Sequence, residues 1–169
     1  MTACPINIAP IDIAIDIQDA AWAELPFDLD AIAKRAAAVG LAQLNSPILG
    51  ELSLAFVNDA DIQILNRDYR EKDKPTNVLS FPSAMPENIV GAPSLMGDIV
   101  LARETIEREA AEKSTSTEHH LTHLIIHGLL HLQGYDHETD AEAEEMEALE
   151  IAALKTLGID NPYEFGTKA

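Results

Sequence analysis

His127–His137 reads H-G-L-L-H-L-Q-G-Y-D-H. His127 and His131 stand four residues apart inside an apolar run that suits a helix, so their rings share one face. Gly134 comes three residues after the second histidine. It suits the position just past a helix end, where the backbone turns left-handed and glycine adopts that conformation at little cost. The chain then turns back and brings His137 toward the open side of the first two rings. Three neutral imidazoles on one divalent ion leave a fourth position for water, the arrangement of a catalytic zinc site and not of a structural one. Satisfied polar histidines at helical spacing would account for His127 and His131, but not for Gly134 and His137.

The same helix carries a longer ladder, His119, His123, His127 and His131. Successive rungs rise about 6 Å along the axis, so a ladder cannot wrap one ion. A compact site needs one pair and a residue from beyond the helix, and only the His127/His131 end has one. His123 is therefore expected to pack or hydrogen-bond beside the site, with His119 and His120 near the helix start.

A chain of 169 residues with 47% hydrophobic content gives one well-buried core and is short for two domains. The single cysteine, Cys4, excludes an intramolecular disulfide and offers no thiolate cluster, so a metal must rest on histidine and carboxylate. No apolar run approaches a membrane span, and M-T-A-C-P lacks the features of a signal peptide. The expectation is a soluble cytoplasmic protein with no membrane partner.

A formal net charge of -18 argues, as a sum, against nucleic acid. Its distribution says more. Arg67, Arg70, Lys72 and Lys74 fall in one short stretch, diluted by Asp68, Glu71 and Asp73. No lysine or arginine occurs between Lys113 and Lys155, where Asp136, Glu138, Asp140, Glu142, Glu144, Glu145, Glu147 and Glu150 gather. Such a run reads as a solvated helix face.

Ile11, Ile13, Ile15 and Ile17 alternate with smaller or polar residues and predict a half-buried strand. Trp22 to Pro26 reads as a connection, and Asp28 caps a helix running to about Gln43. Leu52, Leu54 and Phe56 give a second strand, followed by a short helix capped at Asn58 or Asp59. Val78 to Phe81 and Gly97 to Ala102 give two more strands around a proline-rich surface loop, Ser83 to Met96. Helices follow at Glu104–Lys113, after a cap at Ser116 or Thr117, and from a capping box at Thr139 and Glu142 to Gly158. The order predicts one α+β domain, with a small mixed four-stranded sheet packed against helices and the metal-binding histidines on and just after one of them.

H-G-L-L-H-L-Q-G-Y-D-H, with Y-R-E-K-D-K-P-T-N-V-L-S-F-P, G-D-I and the ending N-P-Y, closely resembles the YbeY family of bacterial rRNA maturation factors. The motif-bearing part covers about 52–163 of the chain, and the resemblance treats 1–169 as one domain. It implies a metal-dependent endoribonuclease specific for single-stranded RNA. That activity serves 16S rRNA 3′-end maturation and 70S ribosome quality control, with the ribosome or ribosome-associated proteins as partners and no DNA substrate. Residue by residue, the metal ligands fall on His127, His131 and His137, holding one Zn2+, and the functional arginine falls on Arg70.

Arg70 has the right chemistry to grip a phosphate, because a guanidinium pairs with two oxygens at once. A surface ion pair with Glu71 or Asp68 is its plainer role. Lys72 and Lys74 can add phosphate contacts, and Thr76, Asn77 and Ser80 can line the cleft, although turn and strand roles explain them equally. Two other functions compete. H-x-x-x-H-x-x-G-x-x-H has the spacing of the metzincin proteases, but the glutamate that serves them as base is here Gly128. A non-catalytic metal-containing ribosome assembly factor suits the acidic charge, yet a structural zinc site takes four protein ligands and three present themselves.

Overall fold

The computed structural model describes residues 12–45, 47–83 and 95–163. Ile11, Cys4 and most of the proline-rich loop lie outside them. Four strands form one sheet in the order β1-β2-β4-β3: β1 Ile13–Ile17, β2 Glu51–Val57, β3 Val78–Pro82 and β4 Leu95–Ala102. β1, β2 and β4 run parallel, and β3 returns antiparallel along the edge of β4. The mixed four-stranded sheet is the one expected. Leu95 and Met96, expected in a loop, instead begin β4, with Met96 buried.

The described residues form five α-helices, α1 Leu29–Ala42, α2 Asp59–Arg70, α3 Arg103–Glu112, α4 Thr117–Leu132 and α5 Asp140–Thr156, the last packed on α1 and α4. Strand alternation sorts the core into two parts. Leu52, Leu54, Phe56, Ile99 and Leu101 pack with α1 and α4, while Val57, Leu79 and Val100 pack with Ile62 of α2. The Trp22–Pro26 segment is more than a connection. Ala20–Glu24 forms a 3-10 turn that buries Trp22 completely, its indole N–H donating to the Val57 carbonyl at 2.8 Å and its ring meeting Phe56 edge-on.

α4 is the central helix. Ser116 caps it by accepting from the His119 N–H at 3.0 Å. It is apolar almost all round, because it packs on the sheet, on α1 and on α5 together. Gly128 permits the approach to the sheet: a Cβ there would lie 3.0 Å from Ser80 Oγ and 3.1 Å from Ile99. The helix stops at Gly134, whose φ of 98° allows paired closing bonds from Gly134 N–H to His131 O and from Tyr135 N–H to Leu130 O. Among the described residues no helix is long and apolar enough to cross a membrane.

Candidate metal centre

His127 and His131 project from adjacent turns of α4 with ring centroids 4.6 Å apart. After the Gly134 turn, His137 comes back to 5.7 Å from the first ring and 5.1 Å from the second, centroid to centroid. One nitrogen from each of the three lies within 4.8 Å of the others. The turn holds this position through Asp136, whose Oδ1 accepts from the His137 backbone N–H at 2.8 Å.

The outer nitrogens decide the tautomers. His131 Nδ1 lies 3.0 Å from the Tyr135 carbonyl and His127 Nδ1 lies 2.9 Å from Glu150 Oε2. Both partners are acceptors, so each Nδ1 carries the proton and each Nε2 presents a lone pair. Those two lone pairs converge at 3.1 Å, an arrangement that repels unless a cation sits against both. Nitrogens bound at 2.0–2.1 Å to a tetrahedral ion are about 3.3 Å apart, so the rings already stand close to ligating geometry. Burial and the two neighbouring imidazoles push the His131 pKa down, favouring the neutral ring that binds metal.

Glu150 is the residue that sequence reasoning missed. Assigned with its acidic neighbours to a solvated face, it is instead fully buried. One carboxylate oxygen meets His127; the other meets His123 Nε2 at 2.6 Å and accepts from the Tyr163 hydroxyl. A signal was present. Met146, Glu150 and Leu154 recur at four-residue intervals, and both apolar members are buried, so Glu150 lies on the core stripe of α5. Burial alone would raise its pKa, but the hydrogen bonds from His123 and His127 prevail and hold it down to about 2. It therefore remains an anion out of contact with water. His123 packs and bonds beside the site as expected. His120 lies in the first turn of α4, with Nε2 at 2.8 Å from Glu109.

A cleft of about 730 Å³ opens over the three imidazoles, with Arg70, Lys72, Lys74, Thr76, Asn77 and Ser80 among its lining. The expected cleft residues thus line it, and two also have structural bonds. Ser80 Oγ donates to the Gly128 carbonyl at 3.2 Å, and Asn77 Nδ2 donates to Glu109 at 2.9 Å. Asn66, buried on α2, donates to the Lys74 carbonyl at 2.9 Å and ties the basic loop down. Arg70 is exposed at the end of α2. Its guanidinium donates to the carbonyls of Ser80 at 2.9 Å and Tyr69 at 3.2 Å and lies over the Phe81 ring, 5.1 Å from the centroid. Its plainer role is not realised: Asp68 pairs with Arg67, and among the described residues no carboxylate lies within ion-pair distance of Arg70.

The family described as Endoribonuclease YbeY matches residues 15–158. A relative of that name from Azorhizobium caulinodans is 49% identical over 156 residues, covering 90% of this chain and 96% of its own. Another, from Paramagnetospirillum magneticum, is 49% identical over 157 residues with the same coverage. The fold is similar to that of a Thermotoga maritima protein solved in solution, with a TM-score of 0.52 at 23% identity, over 93% of this chain and 99% of the other. With the match running from β1 to the end of α5 and nearly half the residues identical to both relatives, this chain belongs to the endoribonuclease YbeY family.

Proposed function

We propose that this protein is a metal-dependent endoribonuclease acting on single-stranded RNA, with one zinc ion on His127, His131 and His137 and with Arg70 on the scissile phosphate. The finer role we propose is 16S rRNA 3′-end maturation and 70S ribosome quality control in the cytoplasm, with the whole chain, 1–169, as one catalytic unit. One observation carries the reading. The converging imidazoles share a cleft with Arg70, Lys72 and Lys74, so a chain of net charge -18 places its one compact basic stretch beside its metal-type donors.

The residues divide the work. Glu150 and the Tyr135 carbonyl fix the tautomers of His127 and His131, so both Nε2 atoms point at the cleft before anything binds. A divalent ion held there supplies Lewis acidity and lowers the pKa of water toward about 7. Arg70 spends two of its five N–H donors on backbone carbonyls, which leaves three for phosphate oxygens. Those two bonds and the Phe81 ring hold the guanidinium in place, so little order has to be imposed when substrate arrives. Lys72 and Lys74 add positive charge along the same wall. Against proteolysis, glycine at position 128 supplies no base, and a side chain there would start in tight contact with Ser80 and Ile99.

Elemental analysis of purified protein, paired with cleavage assays on single- and double-stranded RNA with and without chelator, tests the reading. Stoichiometric zinc with chelator-sensitive, single-strand-restricted cutting is expected. Protein that binds zinc and leaves RNA intact would favour the assembly-factor role. Ribosomal delivery of the substrate, expected from the acidic surface, is tested by co-sedimentation with 70S particles.

A further inference from the structure

Tyr69 is the most exposed large hydrophobic residue described, at 64%. It precedes Arg70 at the end of α2 and meets Phe81 at 5.4 Å with the rings inclined by 71°. An edge-on contact occupies at most one face of a ring, so Tyr69 keeps an aromatic face open to solvent. The neighbouring Phe81 also carries the Arg70 guanidinium, and Arg70 lines the cleft, so Tyr69 adjoins a cleft-lining residue in sequence and shares a ring contact with it, while the two aromatic rings lie outside the lining itself.

We propose that Tyr69 is a stacking subsite for one unpaired nucleobase of the RNA, a reading that rests on the endoribonuclease function above. Two features select this occupant. An exposed ring face gains by covering itself with a flat π-system. Arg70, Lys72 and Lys74 follow it closely in sequence and line the cleft, whereas Arg67 is paired with Asp68, so the cations on the cleft side favour an occupant that carries negative charge with its aromatic group. A nucleotide is both. A base on Tyr69 would stand one residue from Arg70, which shares the cleft with the imidazoles. Strand selectivity follows from the same contact: a base within a duplex already has its faces covered by neighbours and cannot offer one to Tyr69.

The test is RNA binding by full-length protein, read by fluorescence anisotropy with chelator present to stop cutting. Tyr69→Leu keeps the apolar contact with Phe81 but removes the ring, and Tyr69→Trp keeps a ring. Stacking is worth about 5- to 150-fold in affinity per base, so Tyr69→Leu should weaken binding to a single-stranded oligonucleotide within that range while Tyr69→Trp stays near wild type. On a fully abasic strand of equal length, wild type and Tyr69→Leu should bind alike. Wild-type affinity of Tyr69→Leu for the normal strand overturns the subsite, as does an equal loss on the abasic strand. Failure of the wild type itself to bind or cut any single-stranded RNA defeats the underlying function instead.

Discussion

Glu150 Oε2 stands 2.9 Å from His127 Nδ1, and the carboxylate that makes this contact has no solvent exposure. A buried anion is costly unless its oxygens find donors, and His123, His127 and Tyr163 supply three. If His127 binds the ion as proposed, Glu150 orients that ligand. Partners of this kind typically cost 10–100-fold in metal affinity when changed. Glu150→Gln keeps the shape but turns an N–H toward one of the two rings, so zinc affinity measured by chelator competition should fall by about that factor. Wild-type affinity would reduce Glu150 to a packing role.

His127→Ala, His131→Ala and His137→Ala should each lose the ion in elemental analysis. His123→Ala should keep it, because its ring contacts Glu150 and not the converging nitrogens. It should nevertheless melt earlier, since Glu150 loses a donor inside the core. Retained zinc in His137→Ala, or lost zinc in His123→Ala, would contradict the geometry.

The histidine cluster was legible because every part of it is local. A helical spacing, a glycine stop and a returning histidine are all encoded within His127–His137, and the turn behaves as those residues dictate. Glu150 depended on which face of α5 meets α4, and counting acids along the chain erased the four-residue period that answers it. Trp22 was obscured for a related reason. Its neighbours look like linker, and only the distant Val57 carbonyl and Phe56 ring make a core of it. Arg70 lay between these cases: its chemistry was plain, but its hold on Ser80 arises from tertiary packing.

Gly128→Glu should not yield a peptidase. The new side chain would enter the contact with Ser80 and Ile99, where even a Cβ lies 3.0–3.1 Å from its neighbours. Overpacking alone costs about 1–3 kcal/mol, and a buried, unpaired carboxylate adds to that. A lowered urea midpoint and no cleavage of a fluorogenic peptide are expected. Peptide cleavage by a folded variant would revive the protease reading.

Glu109 gives the fold a specific acid sensitivity. Burial raises its pKa, but hydrogen bonds from His120 and Asn77 outweigh that and leave it below the usual carboxylate value. A depressed native pKa means the contribution is present above the unfolded value, near 4.5, and disappears as pH falls through the native one. Glu109→Gln cannot make this transition. The stability gap between wild type and variant, from urea midpoints at pH 7 down to pH 3, should therefore narrow below about pH 4.5. A gap independent of pH would show that packing, and not ionisation, accounts for Glu109.

Arg70 should act on the phosphate and not on the fold. It is exposed, and its bonds to Ser80 and Tyr69 are made to carbonyls that water can satisfy in its absence. Removing such a side chain shifts stability by no more than about 0.5 kcal/mol. Losing a contact to charge that develops in the transition state costs about 2.7–4 kcal/mol, a hundredfold or more in rate. Arg70→Ala should therefore keep its metal and its melting temperature while losing most RNA cleavage. Arg70→Lys should recover only part of it, because an ammonium cannot span two phosphate oxygens or lie flat on Phe81. The comparison separates the brace on β3 that Arg70 makes in the structure from the proposed grip on phosphate. If Arg70 served mainly to brace β3, activity would fall in step with the folded fraction, and lysine would fare no better than alanine. If it binds the phosphate, cleavage falls at constant metal content and constant stability, with lysine between alanine and wild type.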